Sequence, residues 1–263
     1  MLQTINPALV GGVVAATVFI GIIGFLAMGR RLGQQAIARH GGAVPAGSAP
    51  LEAAVFTLLG LLIAFTFSGA LTRFDERRGQ VVAEANAIGT AYLRIDVLAP
   101  STQPRLREAL RQYVDSRLAT YRKLPDLQAA EHELQQSQQL QTEIWAQAVA
   151  AVRLPDSQAS AGMLVLPALN EMFDITTLRV AATQMHPPNI IFVMLVGLAF
   201  AAALLAGYRA AGDKDRDWLH KIGFAGIVAC TIYVILDIEY PRLGLIRVDA
   251  IDQVLANVRA GMK

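Results

Sequence analysis

Charged residues are absent from four stretches of this chain, 1–29, 53–72, 188–208 and 222–236. A helix needs about 20 apolar residues to cross a ~30 Å hydrocarbon core. With their flanks, the four stretches predict transmembrane helices over about 8–28, 51–71, 189–208 and 219–238. Between the second and third the pattern becomes amphipathic. Phe74, Val81, Ala85, Ile88, Tyr92 and Ile95 recur at spacings of three, four or seven, the seam of a helical bundle. No proline separates this seam from the second span, so the two predict one helix of about 48 residues and ~70 Å that Pro100 ends. Leu106, Leu110, Tyr113 or Val114, Arg117 or Leu118, and Tyr121 mark a second soluble helix. Leu127 to Val152 forms a third and Pro167 to Gln184 a fourth. The fold class is therefore all-α: a polytopic membrane protein with four spans and an extramembrane four-helix domain inserted between spans two and three. Its parts are 1–72 in the membrane, 73–187 as the bundle, 188–239 in the membrane and 240–263 as a tail.

Small residues add a second pattern. Gly60, Ala64, Ser68 and Thr72 recur every four positions and make one narrow stripe on the second span. Such a stripe is either a close helix contact or the wall of a narrow wet path. Gly11 with Ala15, Gly12 with Ala16, Gly197 with Ala201, and Ala203 with Gly207 are small-xxx-small pairs, which let helices approach where lipid gives no hydrophobic drive.

Composition narrows the function. The chain is 54% hydrophobic and 17% charged with a net charge of +2, which gives no basic surface for nucleic acid. The bundle region balances 12 Lys and Arg against 13 Asp and Glu, so gross charge builds no anion trap there. The single cysteine, Cys230, lies in the fourth apolar run and forms no intramolecular disulfide. His40, His132, His186 and His220 are scattered without metal-ligand spacing, and no phosphate loop, dinucleotide fingerprint or nucleophile elbow is present. Neither an enzyme nor a cofactor is expected. The first apolar run lacks a preceding Lys or Arg and is longer than a signal-peptide core, so it is expected to stay in place. Arg30, Arg31 and Arg39 after the first span and Arg209, Lys214, Arg216 and Lys221 after the third favour short loops inside. Termini and bundle then lie on the non-cytoplasmic side.

Three charged groups are candidates for function. Asp237 and Glu239 stand at the edge of the fourth span, where a carboxylate must pair or face water. Asp237 is expected at headgroup depth with Arg242 or Arg73, with Pro241 and Gly244 turning the chain away. Arg73, Asp75, Arg77, Glu84 and Asn86 line the exit of the long helix, either as ion pairs or as a vestibule in an oligomer. Asp174, in a helix with Asn170, is expected to form a structural polar lock with Arg94 or Arg179.

The block from Leu58 to Ser68, the run Arg73-Phe74-Asp75-Glu76-Arg77-Arg78, and Glu84 to Arg94 resemble the bestrophin-like bacterial membrane proteins. Asn170…Asp174…Arg179 and Asp237-x-x-x-Pro241-x-x-Gly244 extend the resemblance over nearly the whole chain. It implies a multi-pass protein of the bacterial inner membrane and kinship with bestrophins, which are pentameric anion channels with a cytoplasmic helical domain. That side opposes the one the charges favour. The acidic calcium-clasp cluster that a bestrophin carries after this Pro-x-x-Gly is missing here. Two functions follow as expectations: a homo-oligomeric channel for a small ion in the lipid bilayer, or a non-conducting sensor or scaffold whose bundle binds a ligand or protein.

Overall fold

The structure, a computed structural model, describes residues 7–40, 48–158, 160–212, 218–240, 242, 244–246 and 249–263. Eight α-helices follow in order among them: α1 (Pro7–His40), α2 (Ser48–Arg94), α3 (Gln103–Arg122), α4 (Leu127–Val152), α5 (Ala161–Gln184), α6 (Asn189–Arg209), α7 (Trp218–Glu239) and α8 (Asp252–Gly261). No strand occurs among the described residues. Four helical stretches are long and apolar enough to cross a membrane. The second is continuous with the first bundle helix, as its unbroken pattern predicts: α2 has 47 residues, then one 3₁₀ turn at Ile95–Val97. The chain divides within α2 into two compact units, after Arg73.

The membrane unit holds α1, the first half of α2, α6 and α7. Its tightest seam joins α1 to α6. A Cβ on Gly29 would fall on the Leu204 carbonyl, one on Gly33 on the Tyr208 carbonyl, and one on Gly207 on the Leu26 carbonyl. Gly21 leaves room for the Phe200 ring, which stacks on Phe25 at 4.8 Å. Among the small-residue pairs of the sequence, Ala203 with Gly207 lies in this seam. Gly12 with Ala16 and Gly197 with Ala201 stay exposed. Gly29 and Gly33 escaped the pattern because Arg30 and Arg31 stand between them, in a helix that runs well past the apolar stretch.

The first half of α2 uses long side chains instead. Phe56 meets Phe224 edge-on at 5.6 Å, and Arg209 donates to Glu52 at 3.2 Å. Leu59 and Ala70 are buried on that side.

The second unit contains the rest of α2, α3, α4, α5 and, after residue 241, α8. The predicted seam is its core: Val81, Ala85, Ile88, Tyr92 and Ile95 are buried with Leu110, Tyr113, Ile144, Leu169 and Met172. Asp126 caps α4 by accepting from the Ala129 amide at 3.0 Å. Helix α5 starts at Ala161, ahead of the predicted Pro167, which lies inside it. Proline removes one helical hydrogen bond, and within that turn the Leu164 carbonyl accepts from Arg94 Nη1 at 2.9 Å. The segment read as a tail supplies a fifth helix: Leu255 of α8 is fully buried, and Arg259 grips Asp115 at 2.8 and 2.9 Å.

Candidate functional site

Three places gather the residues that the sequence singles out. The first is the small stripe on α2. Gly60, Ala64, Ser68 and Thr72 are all exposed in the single chain, and a Cβ on Gly60 would meet nothing within 4 Å. Thr72 returns its hydroxyl to the Ser68 carbonyl at 3.0 Å, which satisfies it within the helix. At 3.6 residues per turn the same face continues through Asp75, Gly79, Ala83 and Asn86, and these are exposed too. Asp75 is bonded by Arg78 at 3.3 Å.

The second place is the end of α7. Glu239 is fully buried. Arg73 from α2 approaches its carboxylate as a fork, Nε at 3.0 and 3.1 Å and Nη2 at 2.8 Å. This is the geometry in which a guanidinium binds a carboxylate most strongly. His186 Nδ1 lies 3.2 Å from Glu239 Oε1, and its ring packs on Tyr240 at 4.5 Å. Asp237, also buried, accepts from the Tyr233 hydroxyl at 3.4 Å. Arg73 forks onto Glu239, and Arg242 grips Asp252 at 2.7 and 2.9 Å. Two residues along a helix is a turn of about 200°, so Asp237 and Glu239 face different neighbours. Pro241 lies outside the described residues, and Gly244 is partly buried in a bend.

The third place is in the bundle core. Glu84 is fully buried and accepts from Arg117 Nε at 2.7 Å and from Arg179 Nη1. Burial alone would push its carboxyl up, but the Arg117 and Arg179 guanidiniums together hold it below the usual glutamate value. Arg117 is fully buried as well; its Nη2 donates to the Tyr121 hydroxyl, and its Nη1 has no acceptor among the described residues. Three guanidinium carbons surround the Tyr121 ring: Arg179 at 4.2 Å, Arg242 at 4.3 Å and Arg117 at 5.1 Å. Asp252 of α8 lies 3.9 Å from Arg179 and completes the cluster.

Of the residues at the exit of the long helix, Glu84 points into the core as part of an ion pair, and Arg77 donates to the Ala182 and Met185 carbonyls at the end of α5 at 3.1 and 3.0 Å. The polar lock exists, but its acid is Glu84. Asp174 is exposed and is bonded by Asn170 at 3.0 Å, while Arg94 turns to Leu164. The signal was present in the sequence. Glu84 stands three after Val81 and four before Ile88, on the apolar seam itself, where an acid needs a buried cation. Arg117 falls on the apolar face of α3 and supplies one. Among the described residues, no group of three His, Cys, Asp or Glu is placed to hold a metal ion.

A bestrophin-like domain profile matches residues 15–251 of the chain. No curated protein sequence matches it. The fold is similar to the crystal structure of a bacterial bestrophin homolog from Klebsiella pneumoniae, solved as a tryptophan-to-alanine mutant. The TM-score is 0.63 at 12% identity, over 95% of this chain and 96% of that one.

Proposed function

Because the chain belongs to the bestrophin-like family, we propose that it is a homo-oligomeric ion-conducting protein of the bacterial inner membrane, with α2 of each copy facing a common axis. The observation that carries this reading is the exposed face of α2. A span that lies wholly among lipid has no use for four small or hydroxylated residues in line, because lipid rewards apolar bulk. Copies arranged around an axis would turn Gly60, Ala64, Ser68 and Thr72 into the wall of a narrow path. Asp75 and Asn86, further along the same exposed face, would form the vestibule, while Arg73 and Arg77 would brace it from behind. Glu239 would fix the angle of α2 through Arg73.

The test is flux from liposomes of purified protein, with Ser68→Cys and a thiol-reactive blocker added from either side. Conduction by the unmodified variant, lost when the introduced thiol reacts, is the expected result. Liposomes that pass no ion under any gradient would sink the reading and favour a sensor or scaffold. The mass of the solubilised complex supplies the subunit number. For orientation two expectations compete: lysines and arginines favour bundle and termini outside, family kinship favours them inside. Labelling of a cysteine introduced in place of exposed Met163, in intact cells, decides between them.

A further inference from the structure

The bundle contains a cleft between α4 and α5 that the channel reading does not use. It has a volume of about 410 Å³ and is lined by Gln138, Gln141, Thr142, Trp145, Asn170 and Phe173. That lies within the usual size of small-molecule sites, about 300–1,000 Å³. None of the six side chains is charged. Trp145 remains 38% exposed while its ring meets Phe173 edge-on at 6.5 Å, so an amphipathic ring is held rigid and still open to a ligand.

The hydrogen bonds already made in the cleft define what it still offers. Gln141 Nε2 donates to the Tyr113 hydroxyl at 3.3 Å, the Thr142 hydroxyl donates to the Gln138 carbonyl at 3.1 Å, and Asn170 Nδ2 donates to Asp174 at 3.0 Å. Each of these bonds uses a donor of the lining residue. The groups left over are of both kinds: Gln141 Oε1, Asn170 Oδ1 and the lone pairs of Thr142 accept, while the second N–H of Gln141 and of Asn170, the Gln138 amide and the Trp145 indole N–H can donate. A ligand that fits must bring both donors and acceptors, no net negative charge, and one apolar face to lie on Trp145. Sugars in ring form have this combination. We propose that the α4–α5 cleft binds a neutral mono- or disaccharide, its ring against Trp145 and its hydroxyls on Gln141, Asn170 and Thr142. Carboxylates and phosphates are disfavoured, because the lining holds no cation and the Asp174 carboxylate stands beside Asn170 at 3.0 Å.

Gln141 also connects the cleft inward. Tyr113, having accepted from Gln141, shares a 2.7 Å hydrogen bond with the Thr176 hydroxyl, which lies 3.4 Å from Glu84. A hydroxyl bound at Gln141 therefore acts one chain of hydrogen bonds away from the buried ion cluster.

The test uses the full chain in nanodiscs prepared without sugar-headed detergent, which would compete. The chain has two tryptophans, so Trp218→Phe leaves Trp145 as the reporter. Glucose, N-acetylglucosamine and maltose are titrated, with glucuronate and inorganic phosphate as anionic controls. The expected result is a saturable change in emission with at least one neutral sugar, none with the anions, and affinity reduced about tenfold or more by Gln141→Leu or Asn170→Leu, each loss of one good hydrogen bond. Absence of saturation with all three sugars would overturn the proposal. So would equal response to the anions, or affinity unchanged in both variants. Shielding of Trp145 from acrylamide in the oligomer that disappears on dissociation would also overturn it, since a second copy would then fill the cleft.

Discussion

In the membrane unit the closest approaches between helices are made by glycine; in the bundle they are made by charge. Gly29, Gly33 and Gly207 bring the backbones of α1 and α6 into contact, whereas Glu84, Arg117 and Arg179 meet in the middle of an apolar core. The difference follows from the solvent each unit is read to face. Lipid gives apolar side chains no reason to leave it, so helices associate by fitting surfaces, and the smallest residue allows the closest fit. Water drives the bundle's apolar residues inward strongly enough to carry along a buried ion cluster in which Arg117 and Arg179 share Glu84.

The comparison breaks most sharply at Glu84. Replacement by Gln leaves two buried guanidiniums without their acid and should destabilise the bundle by about 3–5 kcal/mol, read from chemical denaturation followed by far-UV circular dichroism. The same carboxyl predicts acid sensitivity. Its folded pKa is lowered from 4.5, so its contribution is complete above that value and disappears as pH falls through the lower folded one. Bundle stability should therefore decline below about pH 4.5, and the variant should lose that part of the decline.

Second in size is Gly207→Val, which drives a side chain into the Leu26 carbonyl. About 3 kcal/mol is expected, the upper end for overpacking, because backbone cannot step aside. Gly197→Val, with open space around it, is the matched control and should stay within about 0.5 kcal/mol. Equal effects at the two glycines would refute the seam. Third is Glu239→Gln, expected at about 2 kcal/mol through the weakened fork with Arg73, and measured as loss of thermal stability in detergent. Smallest is Ser68→Ala, on an exposed face, expected to change stability by less than about 0.5 kcal/mol. Its effect should appear in flux or in subunit assembly; a variant identical to the parent in both would count against an axial α2.

Most of the fold was legible in the sequence because it rests on periodicity. The charge-free runs mark the spans, and the seam from Val81 to Ile95 predicts the buried face of α2. Two kinds of feature were not legible. Pairing across helices depends on where distant segments meet: the seam marks Glu84 as an acid in need of a buried cation, but its partners lie 33 and 95 residues away, and no local pattern picks both from the other arginines. Glycine contacts depend on the opposing backbone, so Gly12 and Gly197 look as suited to packing as Gly207 does. The role of 241–263 was hidden for a further reason. Leu255 and Met262 belong to a core most of whose members precede the last two spans.

That last feature bears on the order of events during synthesis. The chain emerges from its N-terminus, and domains generally fold as they become complete. Here the bundle cannot be completed when residue 185 leaves the ribosome, because Arg242, Asp252 and Leu255 are still missing. Two membrane spans must be made and placed first. The second half of α2 therefore waits, with Arg117 and Arg179 on hand but the arginine cage of Tyr121 unfinished. A chain stalled or cut before α8 would present an open apolar core on a finished membrane anchor, a state that quality-control proteases would recognise. Completion of the bundle is thus timed by α8.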